Sequence, residues 1–136
     1  MRWREHAELL LRKAAQDEFT LEKLFPDPAS PDEVIGFHAE QAVEKTLKAV
    51  LALSEVPYPP THNLALLLDL LFEHRIVSPP AFEDIRRLTP FAAELRYEDL
   101  PEEAERPFDR SWALDCVRRV RAWAESVLRA QREGSL

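Results

Sequence analysis

The chain reads as an all-α fold, an antiparallel up-and-down bundle of four to five helices, and three observations carry that reading. Apolar residues recur at three- and four-residue steps in five separate stretches, the spacing of one helix face. Of the 136 residues 11 are Pro and only 2 are Gly, so proline punctuates those stretches and the glycine turns of tight hairpins are missing. No stretch presents a convincing strand pattern. The length fits one helical domain spanning 1–136.

The first helix runs roughly from Trp3 to Phe25, with Trp3, Ala7, Leu10, Ala14, Leu21 and Phe25 along one face. Pro26 and Pro28 forbid its continuation. Ser30-Pro31-Asp32-Glu33 then predicts an N-cap, a proline at the first helical position and a capping box. The second helix extends to about Leu53. Ile35, Ala39, Ala42, Ala49 and Leu53 make one stripe, and Val43, Leu47 and Val50 make its neighbour. So wide an apolar arc predicts packing against more than one neighbour. Pro57, Pro59 and Pro60 mark a loop, after which His62 to His74 reads as a third helix with Leu64, Leu67, Leu68 and Leu71 inward. Ser78-Pro79-Pro80 starts a fourth, carrying Phe82, Ile85, Leu88, Ala92 and Leu95, with a kink or a restart at Thr89-Pro90. Glu94 to Asp109 is a charged connection with seven acids and two arginines. Asp109 is the predicted N-cap of the last helix, whose buried stripe is Ala113, Cys116, Val117, Val120, Ala124 and Val127.

Composition excludes several functions. Two glycines cannot build a phosphate-cradling P-loop or a dinucleotide fingerprint. Cys116 is alone, so there is no disulfide framework and no multi-cysteine metal site. His6, His38, His62 and His74 lack zinc spacing, and no Glu-x-x-His pair suggests a di-iron bundle, so no metal and no cofactor is expected. A net charge of -7 argues against nucleic-acid binding through bulk charge. No apolar run approaches the about 18 residues of a membrane span, and the amphipathic start has no signal-peptide core. A cytoplasmic protein with no membrane association is expected.

The chemistry-bearing residues concentrate on the second helix. His38, Gln41, Lys45 and Lys48 follow one another at steps of three, four and three, and Glu44 precedes Lys48 by four. This is either a solvated face with one ion pair or an anion site built from lysines and an amide. His62, opening the third helix between Thr61 and Asn63, reads either as part of a local cap or as a proton donor and phosphate contact. Arg96-Tyr97 offers a fork donor beside a phenol. Cys116 falls on a core stripe and reads as a buried thiol. The arginines of the last helix, from Arg110 to Arg132, read as partners in intramolecular or intersubunit ion pairs rather than as a nucleic-acid face.

The stretch from Phe37 to Ala49, with its Gln-Ala-x-Glu-Lys-x-x-Lys-Ala core at Gln41–Ala49, resembles the HEPN domain, the higher eukaryotes and prokaryotes nucleotide-binding family. His62-Asn63-Leu64 is similar to the family's His-x-Leu, and Arg96-Tyr97 to its Arg-Tyr, in the same order along nearly the whole chain. The resemblance implies a helical bundle that commonly forms homodimers and often acts beside a minimal nucleotidyltransferase. Some members are metal-independent ribonuclease toxins carrying Arg, four to six residues, then His. That spacing occurs nowhere here, and no His follows His74.

The expected function is therefore a non-catalytic module that binds a nucleotide or partners a minimal nucleotidyltransferase. Its ligand residues would be Gln41, Lys45, Lys48, His62, Arg96 and Tyr97. The alternative is a ribonuclease toxin of a toxin–antitoxin pair that assembles His62 and Arg96 into an atypical site, for instance across a dimer. A helical assembly protein with no ligand is the third possibility.

Overall fold

The structure, a computed structural model, describes residues 2–80, 82–91 and 109–134. Helices α1 (Trp3–Leu24), α2 (Asp32–Leu53), α3 (Leu64–Glu73), α4 (Phe82–Arg86) and α5 (Arg110–Gly134) follow in order, with one 3-10 turn at Thr89–Phe91. Among the described residues there is no strand. The all-helical expectation holds.

Helix α2 is the central pillar. From Val34 to Leu53 every residue is buried or half-buried, because α1, α3 and α5 all pack on it. Both predicted stripes are inside, and Ile35, Ala39, Val43, Leu47 and Val50 are fully enclosed. The alanines let the neighbours approach closely, as small side chains do at helix contacts. Helix α1 contributes Ala7, Ala14 and Leu21 to this packing, and α3 contributes its four inward leucines. Helix α5 adds Ala113, Cys116, Val117, Val120 and Ala124, together with Leu114 and Trp123, which its predicted stripe omitted.

Two contacts fix the direction of α5. Arg110, its first residue, reaches Asp32 at the start of α2, while Gln131 donates to the carbonyl of Leu53 at the end of α2. Helix α5 therefore runs alongside α2 in the same direction. Arg118–Glu22 and Arg121–Glu18 show it antiparallel to α1. The N-cap at Asp109 is as predicted: its carboxylate accepts from the amides of Ser111 and Trp112. Asn63 caps α3 by accepting from Leu66, so the local capping read at the start of that helix is realised.

Two expectations need correction. Ser30 does not cap α2; Pro31 occupies the cap position in extended conformation, with no side-chain cap bond. Ser30 is instead buried, and its carbonyl takes the Arg110 guanidinium. The same guanidinium donates to the carbonyls of Asp27 at 2.8 Å and Phe25 at 3.4 Å and to the Asp32 carboxylate. One fork thus gathers three main-chain carbonyls of the α1–α2 turn. The second concerns the fourth helix, whose α-helical part stops at Arg86, short of Leu88, while the restart expected at Thr89-Pro90 takes the form of a 3-10 turn. Pro90 removes a donor, and the chain turns as 3-10 so that Phe91 lies against α2 at Gly36. A Cβ at Gly36 would sit 2.3 Å from Phe91 Cδ1, so the glycine is there for close approach. Ala92 and Leu95 lie outside the described residues.

Replacing Arg110 with Ala removes two half-buried carbonyl contacts, at Phe25 and Ser30, an exposed one at Asp27 and an ion pair. The expected loss is about 2–3 kcal/mol, read as a fall of roughly 5–10 °C in the thermal midpoint. Arg110→Lys, which lacks the fork, is expected to recover only part of it.

Candidate functional site

The polar flank of α2 faces α1 on one side and the α2–α3 loop on the other. Burial there makes an unpaired charge costly, so each cation needs an anion within reach. Helix α1 supplies Asp17. Its two oxygens take Lys45 Nζ at 2.6 Å and His38 Nδ1 at 3.1 Å. One turn further along, Glu44 does the same: Lys48 Nζ donates to one oxygen at 2.8 Å and His62 Nδ1 lies 2.8 Å from the other. Because an ionised carboxylate only accepts, Nδ1 carries the proton in both imidazoles. Two carboxylates, each bridging a lysine and a histidine, thus line the flank.

Around the second of these the network widens. Gln41 Nε2 donates to Glu40 Oε1 at 2.8 Å, and the Glu40 carboxyl donates to the Glu44 carboxylate. The Lys48 ammonium lies 5.6 Å from the centre of the Tyr58 ring, whose hydroxyl meets His6 Nε2 at 2.7 Å. Burial pushes the Glu44 carboxyl up, but the hydrogen bonds from Glu40, Lys48 and His62 and the Lys48 charge outweigh it. The carboxyl ends below its ordinary value of 4.5 and stays ionised. The Tyr58 phenol is pushed up, first by burial and then by the Glu44 charge, and so remains a neutral donor.

Gln41, Lys45 and Lys48 therefore share one flank of α2 with His38, as their spacing predicts, and the α2–α3 loop brings His62 to it. Arg96 and Tyr97 lie outside the described residues. The pairing of Glu44 with Lys48 was legible, since the order and spacing of the two are those of a helix ion pair. Asp17, His6 and Tyr58 went unlisted as site residues. Asp17 sits 21 and 28 residues before its partners, and only the packing of α1 on α2 joins them. His62 keeps 38 % of its side chain exposed and Lys45 25 %, so this flank meets solvent along a narrow strip.

Two concavities among the described residues lie elsewhere. A cavity of about 60 Å³ between α1, α2 and α5 is walled by Ala14, Ala42, Thr46 and Ala124, with the Glu18–Arg121 pair at its rim. A second, of about 270 Å³, lies between Trp3, Arg4, Leu53, Glu55 and Gln131 at the end of the bundle. Neither touches Gln41, Lys45, Lys48 or His62. Cys116 is enclosed in the core, where burial first and the Asp84 charge second push its thiol up to about 12, so it has no nucleophilic character at neutral pH.

Comparison with protein-family models matches the HEPN domain over residues 7–127. The match takes in most of α1, all of α2, α3 and α4, and most of α5, and hence Asp17, Gln41, Glu44, Lys45, Lys48 and His62. Searches of curated proteins and of solved structures return no match.

Since its folded-state value is lowered, Glu44 contributes stability that is present above its ordinary value and disappears as pH falls through the lower one. Urea unfolding followed from pH 6 down to about pH 3 is expected to show a steeper loss for the unmodified protein than for Glu44→Gln. The variant is less stable at pH 6 and the two curves converge in acid.

Proposed function

The chain belongs to the HEPN family, matched over most of its length, and from that premise we propose that it is a non-catalytic cytoplasmic module, a single domain over 1–136. In this reading it works as a homodimer beside a minimal nucleotidyltransferase. The observation that carries the proposal is the state of the α2 flank: Lys45 and Lys48 already hold internal carboxylates at 2.6 and 2.8 Å. A catalytic cation must be available to a developing charge, and these two are committed to the fold. The missing Arg-to-His spacing supports the same conclusion from the sequence side.

Nucleotide binding enters this reading as exchange. A phosphate arriving at Gln41, Lys45, Lys48 and His62, or at Arg96 and Tyr97, competes with Asp17 and Glu44 for the same cations. The apolar surface on which copies associate is supplied by side chains such as Phe72, 77 % exposed, and Val77, 70 % exposed.

One arrangement favours the alternative reading as a ribonuclease toxin. His62 is half-exposed and oriented by a buried carboxylate, the relation that prepares an imidazole for proton transfer.

The deciding experiment incubates purified protein with a structured RNA in chelator and follows the RNA on a gel, while light scattering reports the mass in solution. Intact RNA and a mass near twice 15.7 kDa are expected. Cleavage that disappears in His62→Ala would replace the proposal with the toxin reading, and a strict monomer at micromolar concentration would remove its dimer.

A further inference from the structure

We propose that the outward face of α1 is a docking surface for an acidic amphipathic segment of a partner protein. The inference rests on the reading of this chain as a partner module and identifies the surface that the partner would meet.

Leu9, Arg12, Lys13, Gln16, Phe19 and Lys23 recur at steps that put them on one side of α1, opposite the buried Ala7, Ala14 and Leu21. All six are exposed. Leu9 and Phe19 are large apolar side chains left 43 % and 61 % open, and ten residues of helix separate them by about 15 Å. Between and beyond them stand three cations. Arg12 and Lys13 enter no ion pair among the described residues, and the Lys23 ammonium rests 5.2 Å from the centre of the Phe19 ring.

The acids of this stretch are all turned elsewhere. Asp17 goes to Lys45 and His38, Glu18 to Arg121, and Glu22 to Arg118. From Leu9 to Lys23 the stripe thus carries three positive charges and no acid, while one turn earlier Glu5 pairs with Arg2 and Glu8 stands exposed, on a chain whose net charge is -7. On the α2 flank the opposite holds, since cations and anions there balance within the fold. Charge complementarity therefore selects an acidic occupant, and two apolar anchors about 15 Å apart select one with its own apolar side chains at that interval. An acidic helix with leucines ten or eleven residues apart meets both conditions. A single-stranded nucleic acid meets only the first. It stacks on successive aromatic rings, and here the second anchor is an aliphatic Leu9.

The test uses the full chain and a labelled synthetic peptide, an acidic amphipathic helix with two leucines ten residues apart and glutamates between them. A lysine-substituted version of the peptide and a labelled oligouridine serve as the other arms. Fluorescence anisotropy is expected to show binding of the acidic peptide alone, weakening as salt rises. The double variant Lys13→Glu/Phe19→Ser is expected to lose roughly tenfold or more in affinity with its thermal midpoint unchanged, since both side chains are exposed. No binding of the acidic peptide, or equal binding by the variant, overturns the proposal. Oligouridine binding that the variant loses overturns it in favour of a nucleic-acid face, and a dimer that the variant dissociates does so in favour of a second copy. Capture of a minimal nucleotidyltransferase encoded beside this chain separates the two readings. Equal capture by the unmodified protein and the variant refutes this surface and leaves the partner reading standing; no capture by the unmodified protein refutes the partner reading itself.

Discussion

The enclosure of α2 is the constraint from which the rest of the structure follows. A helix with no exposed residue from Val34 to Leu53 cannot leave a charged side chain to water, yet this one carries Glu44, Lys45 and Lys48. Each must find its counter-charge inside the bundle, because an isolated charge in that environment costs several kcal/mol or more. The neighbours are arranged accordingly. Helix α1 brings Asp17 to Lys45, the α2–α3 loop brings His62 to Glu44, and α2 itself supplies the Glu44–Lys48 step. Packing and polar pairing are thus one requirement, met by the same docking of α1 and α3.

This arrangement changes what the basic residues of α2 mean. Considered as a bare sequence, Lys45 and Lys48 are two like charges in want of an anion. In the fold they are halves of two carboxylate bridges along a polar seam between helices, with Asp17 and Glu44 as their internal anions. The chain keeps uncompensated charge on a different surface, the outer side of α1, where three cations stand among exposed apolar side chains. The division of labour suits a protein that holds its shape through one face of its polar residues and meets others through another. Arg110 serves the first purpose at the far end of the bundle, where it binds the turn between α1 and α2 to the start of α5.

Much of this was legible before any coordinates. The four leucines of α3 lie inside as their spacing requires, and Asn63 and Asp109 cap the helices that they precede. Periodicity and capping are local, so a single sequence displays them. Ser30 stands one position before the cap, which Pro31 occupies, and its carbonyl is held by a contact 80 residues away, the Arg110 guanidinium. Asp17 was missed for a related reason. It lies beside the apolar stripe of α1 among other charged residues, and nothing in its own surroundings marks it as the partner of a lysine in the next helix. Gly36 is similar: its glycine identity answers to a phenyl ring from Phe91, at the end of a turn whose path periodicity does not specify. What escaped the sequence was contact between elements, and above all contact made through main-chain carbonyls or single side chains.

The claim that the α2 flank is neutralised from within is tested most directly by a double-mutant cycle on Asp17 and Lys45. Unfolding free energies of the unmodified protein, Asp17→Asn, Lys45→Met and the double variant isolate the pairwise term. With side chains only 12 % and 25 % exposed, the pair is expected to show a favourable coupling of about 1–2 kcal/mol that largely survives 0.5 M salt. Additivity within about 0.3 kcal/mol, or a coupling that salt abolishes, would mean that Lys45 is an ordinary solvated cation and that the seam does not hold the fold together.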